Sequence, residues 1–75
     1  MVYLLCMDMV LTTLKAAQRT DRPVVIMYDA AGGITQRRVY VRKIDGDNLF
    51  AYCTAKHSIR QFRLDRILSA VIPEE

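Results

Sequence analysis

Arginines, tyrosines and phenylalanines alternate through the C-terminal half of this sequence in a pattern suited to binding anions. Arg60, Arg63 and Arg66 are interleaved with Phe62, Leu64 and Ile67. A guanidinium presents planar N–H donors that match phosphate or carboxylate oxygens and stays charged at physiological pH. Upstream, strand alternation puts Arg38, Tyr40 and Arg42 on one face and Val39 and Val41 on the other. Two cationic heads around a ring can hold phosphates while a nucleobase stacks on the ring.

The charge distribution supports the same chemistry. Between Arg37 and Arg66 eight basic residues (Arg37, Arg38, Arg42, Lys43, Lys56, Arg60, Arg63 and Arg66) face only Asp45, Asp47 and Asp65. That segment carries +5 of a net charge of +3, leaving −2 for the rest of the chain. A basic half in a nearly neutral chain is the footprint of an anion-binding surface. The structural alternative is that Arg60, Arg63 and Arg66 pair with Asp65 or Asp29 and hold the fold together. Asp65 is an in-strand partner for Arg63 or for an arginine of a neighbouring strand. Tyr40 has the corresponding alternative of cross-strand packing.

Other chemistries find less support. His57 and Ser58 are adjacent, but no carboxylate stands where it would orient the imidazole, and the segment reads as a loop. Cys53 lies in an apolar strand and reads as a small buried hydrophobe. Asp45-Gly46-Asp47-Asn48 lacks the ligand spacing and closing glutamate of a calcium loop, and no Lys-Thr follows Gly32-Gly33 as a phosphate loop requires. No catalytic residue, metal site or cofactor is expected, and the protein reads as non-enzymatic. Cys6 and Cys53 are isolated, which suits a reducing compartment and a cytoplasmic location. The apolar run Val2–Met7 is too short to span a membrane.

The elements that must position these residues fit one domain over residues 1–75. Met7, Val10, Leu11, Leu14 and Ala17 or Gln18 have helical spacing, which predicts a helix over about residues 8–19 with Asp8 as N-cap. Asp21-Arg22-Pro23 ends it, because proline disfavours helical geometry in the residue before it. Strands are expected at 23–29, 34–44, 49–53, 59–67 and 68–72, with turns at Ala30–Gly33 and Asp45–Asn48. The fourth strand would place Arg60, Phe62, Leu64 and Arg66 on one face and Gln61, Arg63 and Asp65 on the other. Tyr28, Tyr52 and Phe62 are expected in the core. Val2–Met7 fits an added strand, a helix extension or a dimer contact. The result is a mainly β fold with an N-terminal helix and a small five-stranded antiparallel barrel over about residues 23–72.

From about Leu14 to Ile67 the sequence resembles WYL domains. The resemblance rests on Arg22-Pro23-Val24-Val25-Ile26-Met27-Tyr28, on Gly32 or Gly33 followed by Arg37, and above all on Ala51-Tyr52-Cys53 followed by Arg60-Gln61-Phe62-Arg63-Leu64-Asp65-Arg66-Ile67. Asp47 and Asn48 stand where the family carries the Trp-Tyr of its name, Leu49 keeps the third residue, Val41 replaces a proline, and Thr54 replaces a basic residue or histidine. The resemblance implies an Sm/SH3-like barrel with a ligand-sensing or nucleic-acid-binding role in transcriptional or DNA-processing regulation. It makes Arg60, Arg63 and Arg66 ligand-facing, with Arg37 a weaker match. Arg38, Tyr40 and Arg42 come from the strand pattern alone. The expected partner is single-stranded nucleic acid or a nucleotide. The alternative is a module with structural arginines that homodimerises or docks on a larger regulatory protein. No helix-turn-helix or helicase pattern accompanies the domain, so a stand-alone copy is expected to act through a partner or to bind its ligand alone.

Overall fold

The computed structural model describes residues Val2–Pro73, with side chains described from Met9 onward. Helix α1 covers Val2–Thr20 and is followed by β1 (Pro23–Ala30), β2 (Gly33–Asp45), β3 (Asn48–Cys53), β4 (Ser58–Arg63), a 3-10 turn at Leu64–Arg66 and β5 (Ile67–Val71). The helix begins six residues before the expected Asp8, which therefore lies inside it and is not its cap. Leu4, Leu5 and Met7 are good helix formers, so the apolar run continues the helix backbone upstream. Leu14 and Ala17 are buried, and Val10 and Leu11 pack half-buried against the same core. Ala17 takes the core position and Gln18 stays exposed.

The helix ends in a hydrogen-bonded reversal. Asp21 N–H donates to the Gln18 carbonyl at 3.3 Å and Arg22 N–H to the Ala17 carbonyl at 3.0 Å. Asp21 occupies the left-handed position, at φ 54°, that glycine usually fills in this motif. Proline at 23 thus follows a completed cap and starts β1.

The strands form one antiparallel sheet in the order β4-β3-β2-β1-β5. Its inner face gathers Val24 and Ile26 from β1, Val39 and Val41 from β2, Leu49, Ala51 and Cys53 from β3, Phe62 from β4 and Ile67 from β5. Together with Leu14 and Ala17 these make one core. Tyr52 alternates with the buried Ala51 and Cys53, so it lies on the outer face and not in the core as expected. Thirteen extended residues would span roughly 40 Å, yet the longest dimension of the molecule is 36 Å. The length of β2 is accommodated by bending. A bulge at Arg42 and another between Met27 and Tyr28 allow the curl.

The expected fourth strand divides at Arg63. Leu64, Asp65 and Arg66 form the 3-10 turn, whose three-residue repeat brings both Leu64 and Ile67 to the core. Arg66 therefore does not share a strand face with Arg60. The Leu64 N–H donates to the Asp47 carbonyl at 2.8 Å, which anchors the turn to the β2–β3 hairpin. The closed barrel expected from the sequence is an open sheet: among the described residues β4 and β5 share no ladder.

The two sheet edges are nonetheless drawn toward each other, since three residues join them. Tyr28 of β1 bridges the opening. Its hydroxyl accepts the Arg63 backbone N–H at 3.1 Å, and its ring meets Phe62 edge-on with centroids 5.1 Å apart. Tyr28→Phe removes the acceptor and keeps the ring contact. Thermal unfolding is expected to show a loss of about 1 kcal/mol, or roughly 4–8 °C in a domain of this size. An unchanged midpoint would show that the hydroxyl bond does not hold the curl.

Candidate functional site

Register and burial sort the candidate arginines onto different surfaces. Arg37 alternates with Val39 and Val41 and pairs with Ile26, so it belongs to the inner face of β2. Arg60 alternates with Phe62 and pairs with Ala51, which puts it on the inner face of β4, where the free edge leaves it exposed. Arg38 and Tyr40 lie on the outer face. The alternation that predicted the Arg38-Tyr40 face also predicts Arg37 on the opposite one, a signal present in the sequence beside two buried valines.

Two further candidates, Arg42 and Arg63, are engaged in holding the fold. Arg42 sits at the β2 bulge, with its guanidinium 3.5 Å from Asp21 Oδ1 and 6.0 Å from the Tyr40 ring centroid. Its carbonyl accepts Gln18 Nε2 at 3.0 Å, so the bulge clamps the end of α1. Arg63 makes a two-pronged contact with Asp65, with Nε–Oδ1 and Nη2–Oδ2 both at 3.1 Å. That hydrogen-bonded charge pair holds the Asp65 carboxyl below its ordinary value and raises the Arg63 guanidinium above its own. Arg66 lies exposed in the 3-10 turn.

Arg37 is the unusual member. Its Nε is buried and has no hydrogen-bond partner among the described residues. A buried donor without an acceptor costs about 1–3 kcal/mol, so the fold keeps this N–H at a penalty. Beside it lies the Cys53 thiol, 1 % exposed. Burial pushes that thiol up, but the Lys56 and Ala55 N–H groups and the Arg37 guanidinium outweigh burial and lower it below 9.0. The turn that supplies those N–H groups carries the exposed His57 at φ 54°. Cys53 is thus both the expected core residue and a polarised neighbour of Arg37. The pairing was not legible beforehand because it joins residues from two strands.

The family model for the WYL domain matches residues 9–72. The chain belongs to the WYL domain family. Among solved structures, this WYL domain is similar to proteasome accessory factor B/C (PafBC) of Arthrobacter aurescens, with a TM-score of 0.82 and 25% identity. That similarity covers 92% of this chain and 12% of the PafBC chain. No curated protein matches the sequence. At the β2–β3 hairpin Asp47 anchors the 3-10 turn through its carbonyl and Asn48 Oδ1 accepts Gln61 Nε2 at 2.9 Å.

Arg37→Met tests whether the orphaned donor is tolerated at a cost. The variant is expected to melt higher than the wild type, by several degrees for about 1 kcal/mol; a clearly lower midpoint would mean that Arg37 stabilises the fold. The same variant carries a pH signature. With the Cys53 value lowered in the folded state, the unfolded chain holds a proton that the folded chain has lost. Stability therefore rises with pH between the lowered value and the ordinary thiol value of 9.0, and falls as pH drops through the lowered one. Urea midpoints across that window should rise in the wild type, less in Arg37→Met and not at all in Cys53→Ser.

Proposed function

We propose that this WYL domain is a non-catalytic, cytoplasmic ligand-sensing module that binds an anion, single-stranded nucleic acid or a nucleotide, in transcriptional or DNA-processing regulation. The inner face is the primary contact, with Arg37 and Arg60 as its phosphate ligands. The observation that carries this reading is the buried Arg37 Nε, which has no hydrogen-bond partner among the described residues. A phosphate oxygen arriving there satisfies the donor and neutralises the cation in one step, so the cost carried by the free domain becomes affinity for the ligand. The +5 segment adds long-range attraction. Arg63 and Arg66 contribute at the margin, Arg63 through a guanidinium already committed to Asp65. Arg38, Tyr40 and Arg42 lie outside this inner face.

Fluorescence anisotropy with short labelled DNA, RNA and nucleotides tests the proposal. Binding is expected at about 50 mM salt and should weaken steeply toward about 200 mM, with a logarithmic slope of about −0.7 for each phosphate neutralised on a single strand. Arg37→Met and Arg60→Ala should each weaken binding and reduce the slope. No binding at low salt, or wild-type affinity in both variants, would overturn the proposal.

A second reading is favoured by Ile34, Leu68 and Val71, each more than half exposed on β2 and β5. On this reading the domain homodimerises or docks on a larger regulatory protein. Light scattering across concentration separates the two: the dimer requires a mass that doubles, and a constant monomer mass removes it.

A further inference from the structure

The outer face of the sheet carries an aromatic arrangement that the inner-face site does not use. Tyr40 of β2 and Tyr52 of β3 are directly opposed in the ladder. Their row continues to Pro23 on β1 and Ile59 on β4, crossing four strands. Two residues before Tyr52 on β3, Phe50 shares the face and is opposed by Lys43 and Gln61. All three rings are half-buried, and Ile59 at the edge is 54% exposed.

Three basic residues border these rings. No carboxylate is directly opposed to any of them in the ladder. Lys43, with its ammonium 4.0 Å from Asp45, stands across from Phe50; the Arg42 guanidinium, paired with Asp21, lies over one side of the Tyr40 ring at 6.0 Å from its centroid; and Arg38 is two residues from Tyr40 on the same face. Apolar rings bordered by cations complement a polyanion whose bases are free to stack.

We infer that this outer face is a base-stacking platform for single-stranded nucleic acid, with Tyr40 and Tyr52 receiving neighbouring bases and Phe50 a third. The inference rests on the single-strand reading of the ligand above and adds a second surface to it. Side chains directly opposed on adjacent strands stand about 5 Å apart, wider than the 3.4 Å rise per nucleotide of a stacked strand. The platform therefore suits an extended single strand with its bases separated. A duplex, whose base faces are covered by their neighbours, cannot use it. Every base has a π-face, so little sequence preference is expected.

The test compares an oligothymidylate with an abasic strand of the same length, which carries the same phosphates and no bases. The wild-type domain is expected to bind the oligothymidylate at least about fivefold more tightly, in line with the worth of stacking one base on an aromatic ring. Tyr40→Ala and Tyr52→Ala should each bring its affinity toward that of the abasic strand while leaving the salt slope unchanged. Tyr52→Phe, which keeps the ring, should bind as the wild type does. Equal affinity of the wild type for both strands would overturn the platform, a comparison that needs no variant to fold. So would wild-type affinity in folded alanine variants. If both strands bind equally and binding depends on Arg37 and Arg60, the platform fails and the inner-face reading stands. If neither strand binds, both fail.

Discussion

One hydrogen bond across an open sheet sets the geometry on which the candidate site depends. The Arg63 N–H reaches the Tyr28 hydroxyl between strands that are not neighbours in the ladder, and the Tyr28 ring rests edge-on against Phe62. Without a β4–β5 ladder the curl must come from contacts of this kind, from the bulges, and from the Leu64 N–H bond to Asp47. Curl decides which side chains face inward together. Register puts Arg60 at the β4 edge and Arg37 at the centre of the sheet on the same face.

The second constraint is strand parity, which separates stability from recognition among residues of one type. Arg42 and Arg63 have partners that close local structure: the first clamps α1 to the bulge, and the second forms a fork with Asp65 at the end of β4. Exposed ion pairs of this sort contribute little individually, and their value lies in fixing where the chain turns. Arg37 differs in kind. It occupies an inward position opposite Ile26 and beside Val39, its Nε has no acceptor among the described residues, and its guanidinium hydrogen-bonds and polarises the Cys53 thiol. A bound anion offers the acceptor that this Nε–H does not find among the described residues.

Much of the architecture was legible in the sequence because local signals and global fold agree. The helical spacing of Val10, Leu11, Leu14 and Ala17 places the C-terminal end of α1 within a residue though its start lies six residues upstream, and the Asp-Gly hairpin and the β-branched runs place β1, β2 and β3 within a residue or two of where they lie. The family-like segment through Ile67 also indicated the domain type. The misses have physical causes. Alternating Phe62 and Leu64 read as one strand, but the backbone bonds of Leu64 and the Arg63–Asp65 fork turn the chain there. Tyr52 looked like core by hydrophobicity, while its buried neighbours Ala51 and Cys53 send it outward. Barrel closure depends on edges far apart in the ladder, and no local pattern encodes it. The site was legible in composition and not in grouping: seven residues fell to two faces, a bulge and a turn.

The central claim is that the buried Arg37 donor awaits an acceptor brought by an anionic ligand. The most direct measurement is the NMR signal of the Arg37 side-chain Nε–H group, followed while a short single-stranded oligonucleotide is titrated to saturation. The account predicts a large downfield proton shift for that group, as a donor without a partner gains a charged acceptor. Saturation of binding with the Arg37 Nε–H signal unmoved would contradict it.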